Sequence, residues 1–186
     1  MKSIVSLAGA LLAIGCSGDA GKKTDDGTVI DTGNPAVQLP DIYINEFMAS
    51  NSSTLPDESG AFPDWVELYN NTDEDADLSG WWLTDNNDSI FKWQVPDGVS
   101  IPPRGFLVIF CDNDTDEGPL HASFNLSADG EDLGLYGPNI YDNPEIDAID
   151  DYGLQLSDVS LARTPDGSPT FEADDTPTPG ASNGGR

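Results

Sequence analysis

Carboxylates that could bind a hard cation are concentrated at residues 112–118, which read DNDTDEG. Asp112, Asp114 and Asp116 alternate along this segment, so their oxygens could converge on Ca²⁺, which takes about six to eight oxygen ligands. A complete calcium-binding loop also places a glutamate at its twelfth position, where this chain has Ser123. The sequence therefore leaves two interpretations, a calcium site formed by the three aspartates or an acidic loop exposed to solvent.

Nucleophilic catalysis would require Cys111 to act with His121, the only histidine of the chain. A reactive cysteine needs a lowered thiol pKa, whereas the acidic residues around Cys111 should raise it. Zinc sites need about two to four histidine or cysteine ligands at close spacing, and the chain offers too few. The sequence thus predicts no catalytic site. The alternative is a hydrolase at the cell surface that uses carboxylates, with or without a metal.

Residues 1–16, MKSIVSLAGALLAIGC, have the form of an export signal. Lys2 supplies a positive charge, and the apolar run that follows is about half as long as a membrane-spanning helix. The ending resembles the lipobox of bacterial lipoproteins, which implies cleavage before Cys16 and acylation of its sulfur. Residues 1–15 are therefore predicted to be a lipoprotein signal peptide. Ser17 then favours an anchor at the bacterial outer membrane or cell surface, and a cleaved signal without lipidation is the alternative.

Residues 16–40 have few large apolar side chains and no regular periodicity, so they cannot bury enough surface to offset the entropy of ordering. We expect them to form a flexible acidic tether. The whole chain carries 34 acidic and 7 basic residues, a net charge of −27 that repels nucleic-acid phosphates. The expected partners are the membrane, through the lipid anchor, and a protein or glycan of the envelope or the extracellular space, but no nucleic acid.

Residues 41–186 contain short β-favouring runs separated by turn-forming residues. In DWVELYN, residues 64–70, Val66 and Leu68 share one face. GFLVIFC, residues 105–111, is almost continuously apolar, which predicts a strand buried on both faces. Further strands are expected at residues 42–48, 80–85, 90–95, 123–126, 132–137, 145–150 and 159–163. This spacing predicts an all-β sandwich or barrel.

Two adjacent tryptophans, Trp81 and Trp82, fall within one predicted strand and should therefore point to opposite faces. Large aromatic side chains usually pack into the core. One member of this pair could instead be exposed and contribute to a glycan-binding surface.

Six motifs occur in order over residues 42–183: INEFMASN, DWVELYN, DLSGWWLTD, KWQVPDGVSIPPRGFLVIFCDND, FNLSADGEDLGLYG and RTPDGSPTF with TPTPGASN. Together they resemble bacterial lamin tail domains. The resemblance implies that residues 41–186 form an immunoglobulin-like β-sandwich. It also implies a structural role for His121 and a module of the kind that exported and surface proteins carry, often beside enzymes.

Two charged residues stand out in the predicted core strands. Glu67 lies within an otherwise apolar strand, and Arg163 ends another. We predict a structural ion pair between Glu67 and Arg163, with Asp166 as the alternative partner of Arg163. Taken together, the sequence predicts an envelope lipoprotein that displays a non-catalytic binding or structural module.

Overall fold

The computed structural model describes residues 22–23, 29–30 and 38–184. The chain divides into two units, Met1–Gln38 and Leu39–Arg186. In the first unit, β1 (Lys22–Lys23) and β2 (Val29–Ile30) pair antiparallel, which the sequence did not predict. The predicted signal peptide, Cys16 and most of the predicted tether lie outside the described residues. No helix in the described part of the chain is long and apolar enough to cross a membrane.

The second unit contains two main sheets. The strands of the larger sheet are β3 (Ile42–Met48), β4 (Asp64–Asn70), β9 (Phe106–Cys111), β10 (His121–Ala122), β13 (Ser160–Arg163) and β14 (Phe171–Asp174). The strands of the smaller sheet are β6 (Trp82–Thr84), β7 (Trp93–Gln94), β11 (Leu133–Tyr136) and β12 (Glu145–Ile149). A separate pair is formed by β5 (Ala76–Asp77) and β8 (Ser100–Ile101).

The six-stranded sheet has the order β10-β9-β4-β3-β13-β14, and the four-stranded sheet has the order β12-β11-β6-β7. All pairs are antiparallel except β9 with β10, which run parallel. The only helical element among the described residues is one 3₁₀ turn, Asn139–Tyr141. The second unit is therefore an all-β, immunoglobulin-like sandwich, as the sequence predicted.

The apolar core lies between the sheets, as the alternation in β4 predicted. Val66 and Leu68 are fully buried in it together with Ile109 of β9. Trp81 is 1% exposed and belongs to the same core, while its neighbour Trp82 is only half-buried. The opposite orientation of the two tryptophans is thus confirmed. Because all of the described core lies within Leu39–Arg186, this unit has the buried surface to fold on its own.

The strand that is buried on both faces is β4 rather than β9. Every residue of β4 after Asp64 is buried, whereas Phe106, Leu107, Val108 and Phe110 of β9 are half-buried. The difference arises because residues 175–184, here called the C-terminal strap, hydrogen-bond to the outer face of β3 and β4. A continuous apolar run therefore did not identify the covered strand.

The predicted strand at residues 123–126 does not form. Of these residues only Asn125 is paired, in an isolated bridge with Asp112. The strand at this edge of the six-stranded sheet is β10, which ends just before residue 123. The short strands β5 and β8 and the polar strand β14 were not predicted. Two-residue strands and the sequence FEAD carry no apolar alternation that could have predicted them. These strands form because the fold places a partner strand beside each of them.

Candidate functional site

Arg163 is 5% exposed and links the two sheets. Its Nη2 donates to both carboxylate oxygens of Asp147, at 3.0 and 2.9 Å, and its Nε donates to the Ile44 carbonyl at 2.8 Å. Asp147 lies on β12 of the smaller sheet and also accepts the Ile44 N–H at 2.9 Å. The ion pair predicted between Arg163 and Glu67 is therefore corrected: Arg163 pairs with Asp147, and not with Glu67 or Asp166.

Glu67 faces the C-terminal strap and is fully buried. Its carboxylate accepts the Gly180 N–H at 2.6 Å and the Asn45 side-chain amide at 3.1 Å. Glu46 lies opposite Glu67 on β3, is also fully buried, and accepts the Thr178 N–H at 3.2 Å. The two glutamates thus satisfy backbone donors of the strap that would otherwise be buried without partners. This role explains why both remain in the middle of an apolar sheet.

Burial raises the pKa of Glu67 to about 8, against the effect of its hydrogen bonds from Asn45 and Gly180. Burial likewise raises the pKa of Glu46. A desolvated carboxyl group beside a second carboxyl group is a feature that active sites share. Here, however, the strap hydrogen-bonds to both groups and neither is exposed to solvent. The pair therefore stabilises the fold and does not form an open catalytic cleft.

The acidic loop is organised around His121 and not around the alternating aspartates. His121 is 2% exposed, and its Nδ1 lies 2.6 Å from Asp112 Oδ2 and 3.9 Å from Glu117 Oε2. Asp114 and Asp116, in contrast, are exposed. Of the three aspartates predicted to bind Ca²⁺, the structure brings only Asp112 to the centre of the cluster.

Of the two residues considered for nucleophilic catalysis, Cys111 is buried in an environment that disfavours its reactive thiolate form. Burial raises the pKa of the Cys111 thiol well above its usual range, and the carboxylates of Asp64 and Asp112 raise it further. Burial lowers the pKa of His121, but the hydrogen bonds that its ring N–H groups donate to Asp112 and Glu58 outweigh this effect and raise the pKa. A buried thiol with a raised pKa is a poor nucleophile, in agreement with the interpretation of the sequence.

An exposed aromatic surface, here called the aromatic patch, is formed by Trp82, Phe91, Ile140 and Tyr141. The rings of Trp82 and Phe91 meet edge to face with centroids 5.1 Å apart. The indole N–H of Trp82 donates to Asn139 Oδ1 at 3.1 Å, which holds the turn that carries Ile140 and Tyr141. Phe91 is 58% exposed and Ile140 is 79% exposed. Apolar side chains gathered in this way on a surface with polar surroundings are typical of a binding site.

These features define a class of protein: an acidic chain whose described domain is an all-β, immunoglobulin-like sandwich with an exposed aromatic patch. The family model for the Lamin Tail Domain matches residues 35–168. The match covers more than half of the chain, and the chain belongs to the lamin tail domain family. No curated protein matches it.

Lamin tail domains with this immunoglobulin-like fold are generally non-enzymatic, so membership of the family supports a non-catalytic binding or structural module. The C-terminal strap lies beyond the matched residues, although its hydrogen bonds make it part of the folded domain here.

Proposed function

We propose that this chain is a bacterial cell-envelope lipoprotein that displays a non-catalytic lamin tail domain as a binding module. The lipobox-like ending of residues 1–16 supports an anchor at Cys16, and residues 16–40 act as the tether. The anchor holds the protein at the outer membrane or cell surface, with the sandwich reaching away from the lipid.

The observation that carries the binding role is the aromatic patch. Ring faces pack against the apolar face of a sugar ring, and neighbouring amide and hydroxyl groups can hydrogen-bond to its hydroxyls. Trp82, Phe91 and Tyr141 supply the rings, and Asn139 supplies an amide beside them. The net charge of −27 disfavours anionic polymers. The ligand that this surface fits best is therefore an uncharged glycan of the envelope or the extracellular matrix.

Replacing both Trp82 and Phe91 with alanine is expected to weaken binding to isolated envelopes by about tenfold or more, because the aromatic contact area is lost. Binding would be measured with residues 17–186 in a sedimentation assay. Phe62→Ala is the matched control, because Phe62 is an exposed aromatic residue (39%) outside the patch. Circular dichroism would verify that each variant is folded.

The same assay separates the classes of ligand. Periodate oxidation of the envelopes should abolish binding, and protease treatment should leave it intact. The reverse pattern would show that the partner is a protein. Equal binding by the double variant and the Phe62→Ala control would show that the patch is not the contact surface.

Replacing Cys16 with serine is expected to abolish incorporation of labelled palmitate in the native cells and to release the protein from the membrane fraction. Cys111→Ala is the control, because Cys111 is the other cysteine of the chain and is buried in the domain. The Cys111→Ala protein should remain labelled and membrane-bound. An unlabelled wild-type protein, or label that persists in Cys16→Ser, would contradict the proposed anchor.

A further inference from the structure

Three side chains beside β10 bring possible metal ligands together. Asp112, Glu117 and His121 each offer one ligand atom, and these atoms all lie within 4.8 Å of one another. The two carboxylates approach the same imidazole nitrogen, Nδ1, at 2.6 and 3.9 Å. His121 is buried, whereas Glu117 is exposed, so the cluster has one side that an ion can enter from solvent.

A fourth carboxylate adjoins this cluster with an oxygen left unpaired. Asp57 is 9% exposed, and its Oδ2 is buried without a hydrogen-bond partner. Asp57 precedes Glu58, which contacts His121, and its charge raises the pKa of Glu117 more than the charges of Asp114 and Asp112 do. A buried carboxylate oxygen without a partner is costly unless a cation or a polar group completes it. The surplus of negative charge therefore points to a bound cation.

The second ring nitrogen of His121 is held as metal-binding histidines require. Its Nε2 lies 3.3 Å from Glu58 Oε2. A histidine that ligates a metal through one nitrogen usually donates the other N–H to a carboxylate, which fixes its tautomer and orientation. When an ion binds, the proton on Nε2 would stay directed to Glu58, and Nδ1, which hydrogen-bonds to Asp112, would release its proton to solvent and bind the ion.

We propose that Asp112, Glu117 and His121 bind a divalent transition-metal ion such as Zn²⁺, with Glu58 orienting the imidazole and Asp57 supplying additional negative charge. One imidazole nitrogen and two carboxylate oxygens suit Zn²⁺, whereas Ca²⁺ prefers a shell of about six to eight oxygens. The sequence offered too few zinc ligands when only histidine and cysteine were considered as ligands. Carboxylates supply the other two ligands.

The observed spacing is compatible with such a site after a small movement. Zinc binds nitrogen and oxygen at roughly 2.0–2.2 Å, so ligand atoms around a tetrahedral ion lie about 3.4 Å apart. The separation of Asp112 Oδ2 from Nδ1 must increase slightly, and the Glu117 carboxylate must move inward. Glu117 is exposed and can make this movement without disturbing the core.

The test is a Zn²⁺ titration of residues 17–186, without an affinity tag, followed by the ¹⁵N resonances of the imidazole. His121 is the only histidine, so only its two ring nitrogens have to be distinguished from each other. Saturable binding of one ion should shift Nδ1 much more than Nε2, and Ca²⁺ at the same concentration should not reproduce the shift. An unchanged Nδ1 resonance, or an equal shift with Ca²⁺, would overturn the proposal without the need for any variant.

A matched pair of variants separates a defined site from general attraction to the acidic surface. Glu117→Gln should weaken Zn²⁺ binding, measured by calorimetry, by about tenfold or more. Asp116→Asn removes the same charge from the neighbouring exposed residue and should leave the affinity unchanged. Equal affinities for the two variants would show diffuse electrostatic binding and overturn the proposed ligand set.

Discussion

Replacing Arg163 with alanine is expected to lower the free energy of unfolding by about 3–5 kcal/mol. The change leaves the carboxylate of Asp147, whose side chain is 14% exposed, without its charged partner. It also removes the hydrogen bond to the Ile44 carbonyl and the contact of the guanidinium with the Phe171 ring, 4.2 Å from the centroid. Because Asp147 and Arg163 belong to different sheets, the loss weakens the packing of the whole sandwich.

Urea denaturation would measure this loss, and the melting temperature should fall by roughly 10 °C. Arg104→Ala is the control, because the ion pair of Arg104 with Asp73 is exposed and should contribute little to stability. Replacing Asp147 and Arg163 together with apolar residues should restore part of the stability, since no buried charge is then left unpaired. Equal stabilities of Arg163→Ala and Arg104→Ala would contradict the role of Arg163 as a link between the sheets.

The free energy of unfolding should fall as the pH rises from about 5 to about 9, and Glu67→Gln should reduce this slope. Burial raises the pKa of Glu67 to about 8, so the folded state retains a proton that the unfolded state has lost above a pH of about 4.5. A raised pKa of this kind stabilises the fold below the pKa of the unfolded state. The stabilisation disappears as the pH passes the pKa of the folded state, with a slope of at most about 1.4 kcal/mol per pH unit for one proton.

The carboxylates that act on Glu67 are Glu46 and Asp166, and they raise its pKa in the same direction as burial. His121 also has a raised pKa, but it is present in both proteins, so the difference in slope isolates Glu67. Glu172→Gln, an exposed position on β14, should leave the slope unchanged. Glu67→Gln should also be less stable than the wild type at low pH. The amide nitrogen of the introduced glutamine cannot accept the hydrogen bond that Glu67 receives from Gly180 or Asn45. Parallel pH profiles for wild type and Glu67→Gln would contradict this assignment.

The long strands of the sandwich could be predicted from the residues alone, with the bounds of β3 and β4 matching the expected ranges. Alternation put Val66 and Leu68 on one face, which is the core face, and adjacency predicted opposite faces for Trp81 and Trp82, of which Trp81 is the buried one. These predictions succeed because a period of two depends only on local backbone geometry. The two-residue strands depend on neighbours that are distant in sequence, and no local pattern marks them.

The partners of the charged residues could not be predicted in the same way. Asp147 meets Arg163 only because the edge of one sheet packs against the other, and the sequence around Asp147 offers several similar acids. Glu58 reaches His121 across 63 positions of the chain. In a chain with 34 acidic residues, spacing alone does not identify which carboxylate is desolvated or shared. Tertiary packing makes that selection.

The position of β3 has a mechanical consequence for an anchored protein. Tension on the chain before Leu39 enters the sandwich through β3, which is the first strand of this unit and is paired on both sides, with β4 and β13. A force that pulls along such an interior strand is distributed over the hydrogen bonds to both neighbouring strands. An edge strand is bonded on one side only and can be peeled from the sheet by breaking these bonds one after another. Under the anchor proposed above, a pulling force on the domain would therefore act on a strand that is hydrogen-bonded on both sides.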